Sequence, residues 1–483
     1  MFAFAALVWL LLTQTSADAD LWGHLRFGLD LLQTHALPRW DPYSFTTDRV
    51  WVNHEWLSEL TMAVAYQALG PFGLNLIKLI AIGIVATIVL VVARREQAPW
   101  IDCAVLCTLV VLATYTRTQV IRPQLFSVPL FCLILYALTE AEHRRFRAVV
   151  FLPVLFALWV NLHGAWIVGL ACVGCWLAFT VWTTRDKRVA LVALGVATVL
   201  ATLVNPYGLD MWRFLAETVR PQRHDVTDWK PLLQLPAGII VLDLLLPAIA
   251  ACAIVFGRQR VSKRHVAMLA ILAFATFRIG RVDAFLEAAV GILLAPQILR
   301  GFQSIRTSLT APIWRRPLPG AGIVILAGSV AAFIVGIRHT RTIELEGAWL
   351  PDSESTELMK QACAHENVLT WFDWGEYAIW HLSPAGIRVS MDGRRETVYS
   401  PRVLENHQAF YNNDRSAIDY PDRIAAQCVW LPTKLGTVAS LQTRGWVIVA
   451  RTASSAILRR SPAAPIAHIS ASDEKGPRLF PGP

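Results

Sequence analysis

The chain has 483 residues, 55% of them hydrophobic and only 16% charged, whereas an ordinary soluble domain carries roughly 25% charged residues. That deficit excludes a water-soluble globule and points to lipid, because the apolar residues gather into runs close to the ~20 residues that cross a bilayer. The net charge of +9 gives no nucleic-acid partner, since the basic residues sit in short clusters between apolar runs, where membrane topology accounts for them.

In chain order, apolar runs lie near residues 2–16, 72–93, 101–116, 123–140, 147–162, 165–182, 188–204, 236–256, 265–280, 284–299 and 319–337. They predict a mainly α, polytopic helical membrane protein of about eleven transmembrane helices. The first run, about fifteen residues, gives roughly 22 Å of helix and is short for a crossing. It reads as an uncleaved anchor: small residues surround Ala17 as in a signal peptide, but no basic segment precedes it. Arg94-Arg95, Arg144-Arg145 with Arg147, Arg185 with Lys187-Arg188, and the clusters at 258–264 and 300–316 fall on one side, the cytoplasm. Residues 17–71, 117–122, Asn161 to Gly164, 205–235 and everything after about 338 are then outside, with the N-terminus inside. No internal repeat of the kind that marks many secondary transporters is visible.

From Glu344 the composition becomes ordinary. Helix-like Ser355 to Ala364 precedes strand-like Asn367 to Phe372, Gly386 to Met391, Cys428 to Leu431 and Trp446 to Ala450, which predicts a small extracytoplasmic α/β domain over 339–460 behind a transmembrane domain over 1–338. The tail over 461–483 reads as disordered. Cys103, Cys107, Cys132, Cys172, Cys175 and Cys252 lie inside apolar runs as small packing residues. Cys363 and Cys428, alone in the outer domain, are expected to form a disulfide.

The unusual polar residues gather in the outer segments. Asp18-Ala19-Asp20 follows the first span, with Trp22, His24 and Arg26; two carboxylates so spaced can share a divalent cation such as Mg or Mn, or one can serve as general base. The alternative is an N-cap for a helix over Leu21 to Leu32. Asn53, His54 and Glu55 read either as site residues or as a helix cap with a first-turn acid. Arg122-Pro123-Gln124, Asn161-Leu162-His163-Gly164 and Asn205-Pro206-Tyr207-Gly208 form outer turns whose polar groups are costly at membrane depth unless they converge. Arg278 and Arg281, near Asp283, suit a lipid phosphate or a snorkelling pair. In the outer domain Asp373, Glu376, Asp392, Arg394, Arg395 and Glu396 suit sugar binding or an internal ion-pair cluster.

Asp18-Ala19-Asp20 with Trp22 and His24, Asp41-Pro42-Tyr43-Ser44, Asn53-His54-Glu55-Trp56-Leu57, the three outer turns, Gly375-Glu376-Tyr377 and Asp392-Gly393-Arg394-Arg395 together resemble the GT-C superfamily of membrane glycosyltransferases, and more closely a bacterial group of multi-pass proteins. The resemblance runs over almost the whole chain. It implies transfer of a sugar from a polyprenyl-phosphate carrier to a glycan, lipid or protein acceptor on the outer face of the bacterial inner membrane. Asp18 and Asp20 match the position of the essential acid in the first outer loop, and His24, Arg26, Asn53, His54, Glu55, Arg122, Gln124, Asn161, His163, Asn205, Tyr207, Arg278, Arg281, Glu376, Asp392 and Arg394 are expected to bind substrate. Competing readings are a transporter or flippase for a lipid-linked substrate, whose path the same turns would line, and a noncatalytic envelope scaffold.

Overall fold

A computed structural model describes residues 2–218, 229–308, 321–345 and 350–460; the tail over 461–483 lies outside the described residues. The chain forms two compact units. One gathers the described residues of Met1–Ser16, Val64–Trp212 and Gln222–Glu344, the other those of Ala17–Ala63, Arg213–Pro221 and Leu345–Pro483.

The first unit is helical. Each of the apolar runs coincides with helical segments, but among the described residues only four are long and apolar enough to cross a membrane: Pro71–Arg95, Pro123–Glu142, Trp166–Thr183 and Ala237–Phe256. A single straight helix expected near 284–299 is instead Gly280–Leu293 and Ala295–Thr307, bent by 67°. Local chemistry sets the ends of the Pro71–Arg95 helix. Gly70, at φ 61°, makes the turn into it, Pro71 occupies a first-turn position where no N–H is needed, and Arg94 and Arg95 face the negative end of the dipole. Val241, Leu242, Leu245, Val255 and Phe256 are exposed on the Ala237–Phe256 helix, as expected for a surface that faces acyl chains. The Phe2–Thr13 helix packs against Ala321–His339, where Trp9 Nε1 donates to Phe333 O at 3.2 Å.

Several buried polar groups of this unit pair with backbone carbonyls. Lys78 Nζ donates to Gln14 O at 2.6 Å and to the Thr15 hydroxyl, and Asn75 Nδ2 donates to Thr340 O and Thr342 O at 3.0 and 3.1 Å. Buried side chains thus satisfy carbonyls at helix ends that lipid cannot.

The second unit is built on a mixed sheet of strands β1 (Asn367–Thr370), β2 (Arg388–Val389), β3 (Cys428–Pro432), β4 (Trp446–Arg451) and β5 (Ser455–Arg460). Its order is β2-β1-β3-β5-β4. β1 runs parallel to β2 and β3, with Val368 opposite Val389 and Leu369 opposite Val429; β5 is antiparallel to β3 and β4. Four strands match sequence expectation and β5 adds a fifth. Val368, Leu369, Val429, Trp430 and Leu431 are fully buried, so the central strands carry continuous apolar runs, while β4 alternates as an edge does.

Residues 17–63, which the sequence groups with the membrane helices, pack with this sheet. Val389 N donates to Tyr43 O and Phe45 N to Val389 O, at 3.0 and 3.1 Å, so the loop extends the sheet beyond β2. Phe27, Tyr43 and Trp51 enter the core beside Val389, Met391 and Tyr399.

Cys363 and Cys428 are joined by a disulfide that ties the end of the Ser353–Ala362 helix to β3 across 65 residues. Untreated protein is expected to resist thiol labelling at both positions and to label after reduction. The double variant Cys363→Ser/Cys428→Ser should lose roughly 2–4 kcal/mol of stability; free thiols in the untreated protein would remove the bridge.

Candidate functional site

The parallel strands β1 and β2 bring their following segments to one end of the sheet, where open α/β sheets place ligands. β1 leads through Phe372–Trp374 into the Gly375–Leu382 helix, whose first turn carries Glu376; β2 leads to Asp392-Gly393-Arg394. The Asp20–Thr34 helix presents its own first turn there. Ala19 occupies the capping position of that helix and offers no side-chain acceptor, so the N-cap alternative does not account for Asp18 and Asp20. Both are partly exposed.

Glycines allow the close approach. A Cβ at Gly23 would fall on the Glu376 carboxylate, one at Gly375 on Met391 O and Asp392, and one at Gly393 on Asp20 Oδ1 with Glu376 Oε1 at 2.9 Å. Burial pushes the Glu376 carboxyl well above its usual range, and the charges of Asp20, Asp392 and Asp18 push it further. Glu376 is 3% exposed, and its Oε2 has no hydrogen-bond partner among the described residues. Hard carboxylate oxygens of this kind, one of them orphaned, fit a divalent cation of the Mg or Mn class.

Asp392 is held below the ordinary carboxylate range by Arg394, whose charge and hydrogen bonds outweigh burial. Arg394 Nε and Nη2 donate to Asp392 at 2.8 and 2.7 Å, and Nη1 and Nη2 donate to Asp41 at 2.8 Å each. The guanidinium also lies 4.8 Å from the Phe27 ring and 4.7 Å from that of Trp51. Sequence reasoning placed Arg394 and Asp392 at the substrate. Here they engage one another, Asp41 and the Tyr399 hydroxyl, as the alternative of an internal ion-pair cluster describes.

Beside this cluster His24 Nδ1 lies 3.1 Å from Glu59 Oε1, and Asn53 Nδ2 donates to Glu59 Oε2 at 2.6 Å. Burial disfavours the imidazolium, but the bond to Glu59 and the charges of Glu55, Glu59 and Asp20 outweigh it and raise His24 to about 9. His54 Nε2 is 3.5 Å from Glu55. Arg26 Nε donates to Asp30 at 2.9 Å on its own helix, where the Tyr43 hydroxyl also donates, at 2.5 Å. Glu59, Asp41 and Asp30 were missed as partners; the four-residue spacing of Glu55 and Glu59, and of Arg26 and Asp30, is the signal that carries them.

The remaining expected residues belong to the helical unit. Arg281 Nε donates to Gln124 Oε1 at 2.8 Å and Gln124 Nε2 to Arg281 O at 3.2 Å. Ser127 Oγ bonds His163 Nδ1 at 2.8 Å, and Asn161 Nδ2 donates to Val204 O at 2.8 Å, so two of the outer turns converge with their flanking helices. Asn205 Oδ1 accepts from Tyr207 N at 2.8 Å within its own turn. Arg122 precedes the Pro123–Phe126 turn in extended backbone, and Arg278 ends its helix exposed. Asp283 pairs with Arg117 Nε at 2.9 Å, a partner the sequence did not announce.

Because the Arg394 pairs are buried, with side chains 7% and 0% exposed, Arg394→Ala leaves two carboxylates uncompensated and should cost roughly 3–5 kcal/mol. Thermal unfolding of the purified variant measures this; an unchanged melting temperature would rule out the clamp.

No protein-family model matches the sequence, and no curated protein matches it. Solved structures do. The oligosaccharyltransferase of Archaeoglobus fulgidus superposes with a TM-score of 0.60 at 12% identity, over 89% of this chain and 69% of that one. ArnT from Cupriavidus metallidurans, solved bound to undecaprenyl phosphate, gives 0.51 at 14% identity, over 96% and 98%. The mycobacterial arabinofuranosyltransferase AftD gives 0.54 at 14% identity, over 95% of this chain and 41% of its own. At these identities the likeness is one of fold: this chain shares the fold of these solved membrane-protein structures.

Proposed function

We propose that the protein is a membrane glycosyltransferase that moves a sugar from a polyprenyl-phosphate carrier to an acceptor hydroxyl outside the cytoplasm. The observation that carries this is the meeting of Asp18 and Asp20 with Glu376 at the end of a sheet, in a chain of GT-C fold. The fold neighbours add a lipid-phosphate ligand in ArnT and a tethered acceptor peptide in the oligosaccharyltransferase. A glycan, a lipid or a protein is the acceptor class, and the hydroxyl is the common chemistry.

One carboxylate of the pair, Asp18 or Asp20, accepts the acceptor's proton as its oxygen attacks the anomeric carbon, and the carrier phosphate departs from the opposite face with inversion. General-base help of this kind contributes roughly 10² to 10⁴-fold, about 3 to 5 kcal/mol of barrier. Burial and the charges of Asp20, Asp392 and Asp18 push the Glu376 carboxyl up, and it lies beside Asp20 at Gly393. Arg394 fixes Asp392, and through Gly393 the wall against which Asp20 rests. Asp18, Asp20 and Glu376 would hold a divalent cation, which supplies positive charge for the phosphate leaving group. On the helical unit, Arg278, exposed at a helix end, and Arg122 and Arg281 are the cations suited to a lipid phosphate.

The fold is further read as crossing a bacterial inner membrane about eleven times, with the N-terminus cytoplasmic and the sheet-bearing unit outside. Reporter fusions within residues 17–63 and after 460 are expected to report from outside the cytoplasm; a cytoplasmic report from the first loop would overturn this orientation. Asp18→Asn and Asp20→Asn, assayed in membranes with labelled polyprenyl-phosphate sugar and extracted acceptors, should reduce transfer by roughly 10² to 10⁴-fold in at least one variant. Undiminished transfer by both would remove the catalytic assignment, and movement of the lipid without bond cleavage would favour a flippase.

A further inference from the structure

His24, Glu55 and Glu59 perform no step of the proposed transfer, yet among the described residues they form a compact set of mixed nitrogen and oxygen donors. On the Asp20–Thr34 helix, Asp20 and His24 are four residues apart; Glu55 and Glu59 are four apart at the start of the Trp56–Leu69 helix. Asp20 and His24 therefore face one way along their helix, and the carbonyl of Glu55, just before the second helix, accepts from Glu59 N at 3.0 Å. Ligand atoms of His24, Glu55 and Glu59 all lie within 4.8 Å of one another. Asn53 Nδ2 holds Glu59 Oε2 at 2.6 Å and leaves Oε1 toward the imidazole, 3.1 Å away. The helices are pressed together at this level, since a Cβ on Gly28 would strike Glu59 O and Ala63.

The charges of Glu55, Glu59 and Asp20 all act on His24, so the imidazole lies among carboxylates whose oxygens a dication can share.

We propose that His24, Glu55 and Glu59 bind a transition-metal dication of the zinc class, which fastens the Asp20–Thr34 helix to the start of the Trp56–Leu69 helix. One imidazole and two carboxylates are the donors zinc accepts, whereas magnesium prefers oxygen alone. Asn53 is the outer partner that orients Glu59. The site is separate from the cation considered for Asp18, Asp20 and Glu376, and its failure leaves the transfer reading intact.

Full-length protein in detergent, stripped with chelator, is titrated with zinc chloride and its retained metal counted by mass spectrometry; cobalt(II) absorption reports the donor atoms. Wild type is expected to retain about one equivalent and to give a nitrogen-and-oxygen cobalt spectrum. His24→Ala and Glu55→Gln should lose both, while Asn53→Ala should weaken zinc by roughly 10- to 100-fold. Glu55→Gln keeps side-chain size at a partly exposed position, and metal-free melting temperatures of all variants separate lost binding from lost fold. Equal zinc retention by wild type and the folded variants overturns the site, as does no retention by wild type.

Discussion

Arg394 lies between the carboxylates of Asp41 and Asp392 with the rings of Phe27, Tyr43 and Trp51 around it, and a guanidinium so enclosed survives only because both anions and several hydrogen bonds replace its water. Asp41 belongs to the segment after the first apolar run and Asp392 to the segment after β2, 351 positions later in the chain. Their shared cation makes one body of them. The parallel bridging of Ser44 with Val389 follows the same path, and Gly393, beside the clamp, can then rest against Asp20.

The acidic cluster depends on that clamp for its asymmetry. Carboxylates crowded into a partly dry place cannot all ionise, so neighbours set their protonation apart. The Arg394 guanidinium pulls Asp392 below the ordinary carboxylate range, while burial and its acidic neighbours push Glu376 above it. Separation of this kind marks sites of proton transfer more often than plain ion pairs do. The same crowding makes His24 the cation of its own corner, between Glu55, Glu59 and Asp20.

In the helical unit, polar side chains serve the backbone and one another. Lys78 and Asn75 reach carbonyls at the ends of neighbouring helices, and His163 shares Ser127 with Trp159 Nε1, which donates to Ser127 Oγ at 2.8 Å. Such contacts replace water where the chain is otherwise apolar.

Period and composition are local properties, and they determined much by themselves: the helical runs and their basic clusters, four of the sheet's strands, and the pairing of Cys363 with Cys428. Only tertiary structure decided that residues 17–63 pack with the sheet, that the run near 284–299 bends, and that Arg394 pairs with both Asp41 and Asp392. Spacing in sequence shows which residues share a helix face, as Arg26 and Asp30 do. It carries no distance between Asp41 and Arg394, or between Gly23 and Glu376, because chain folding alone sets which faces meet and which charges each burial leaves to be balanced.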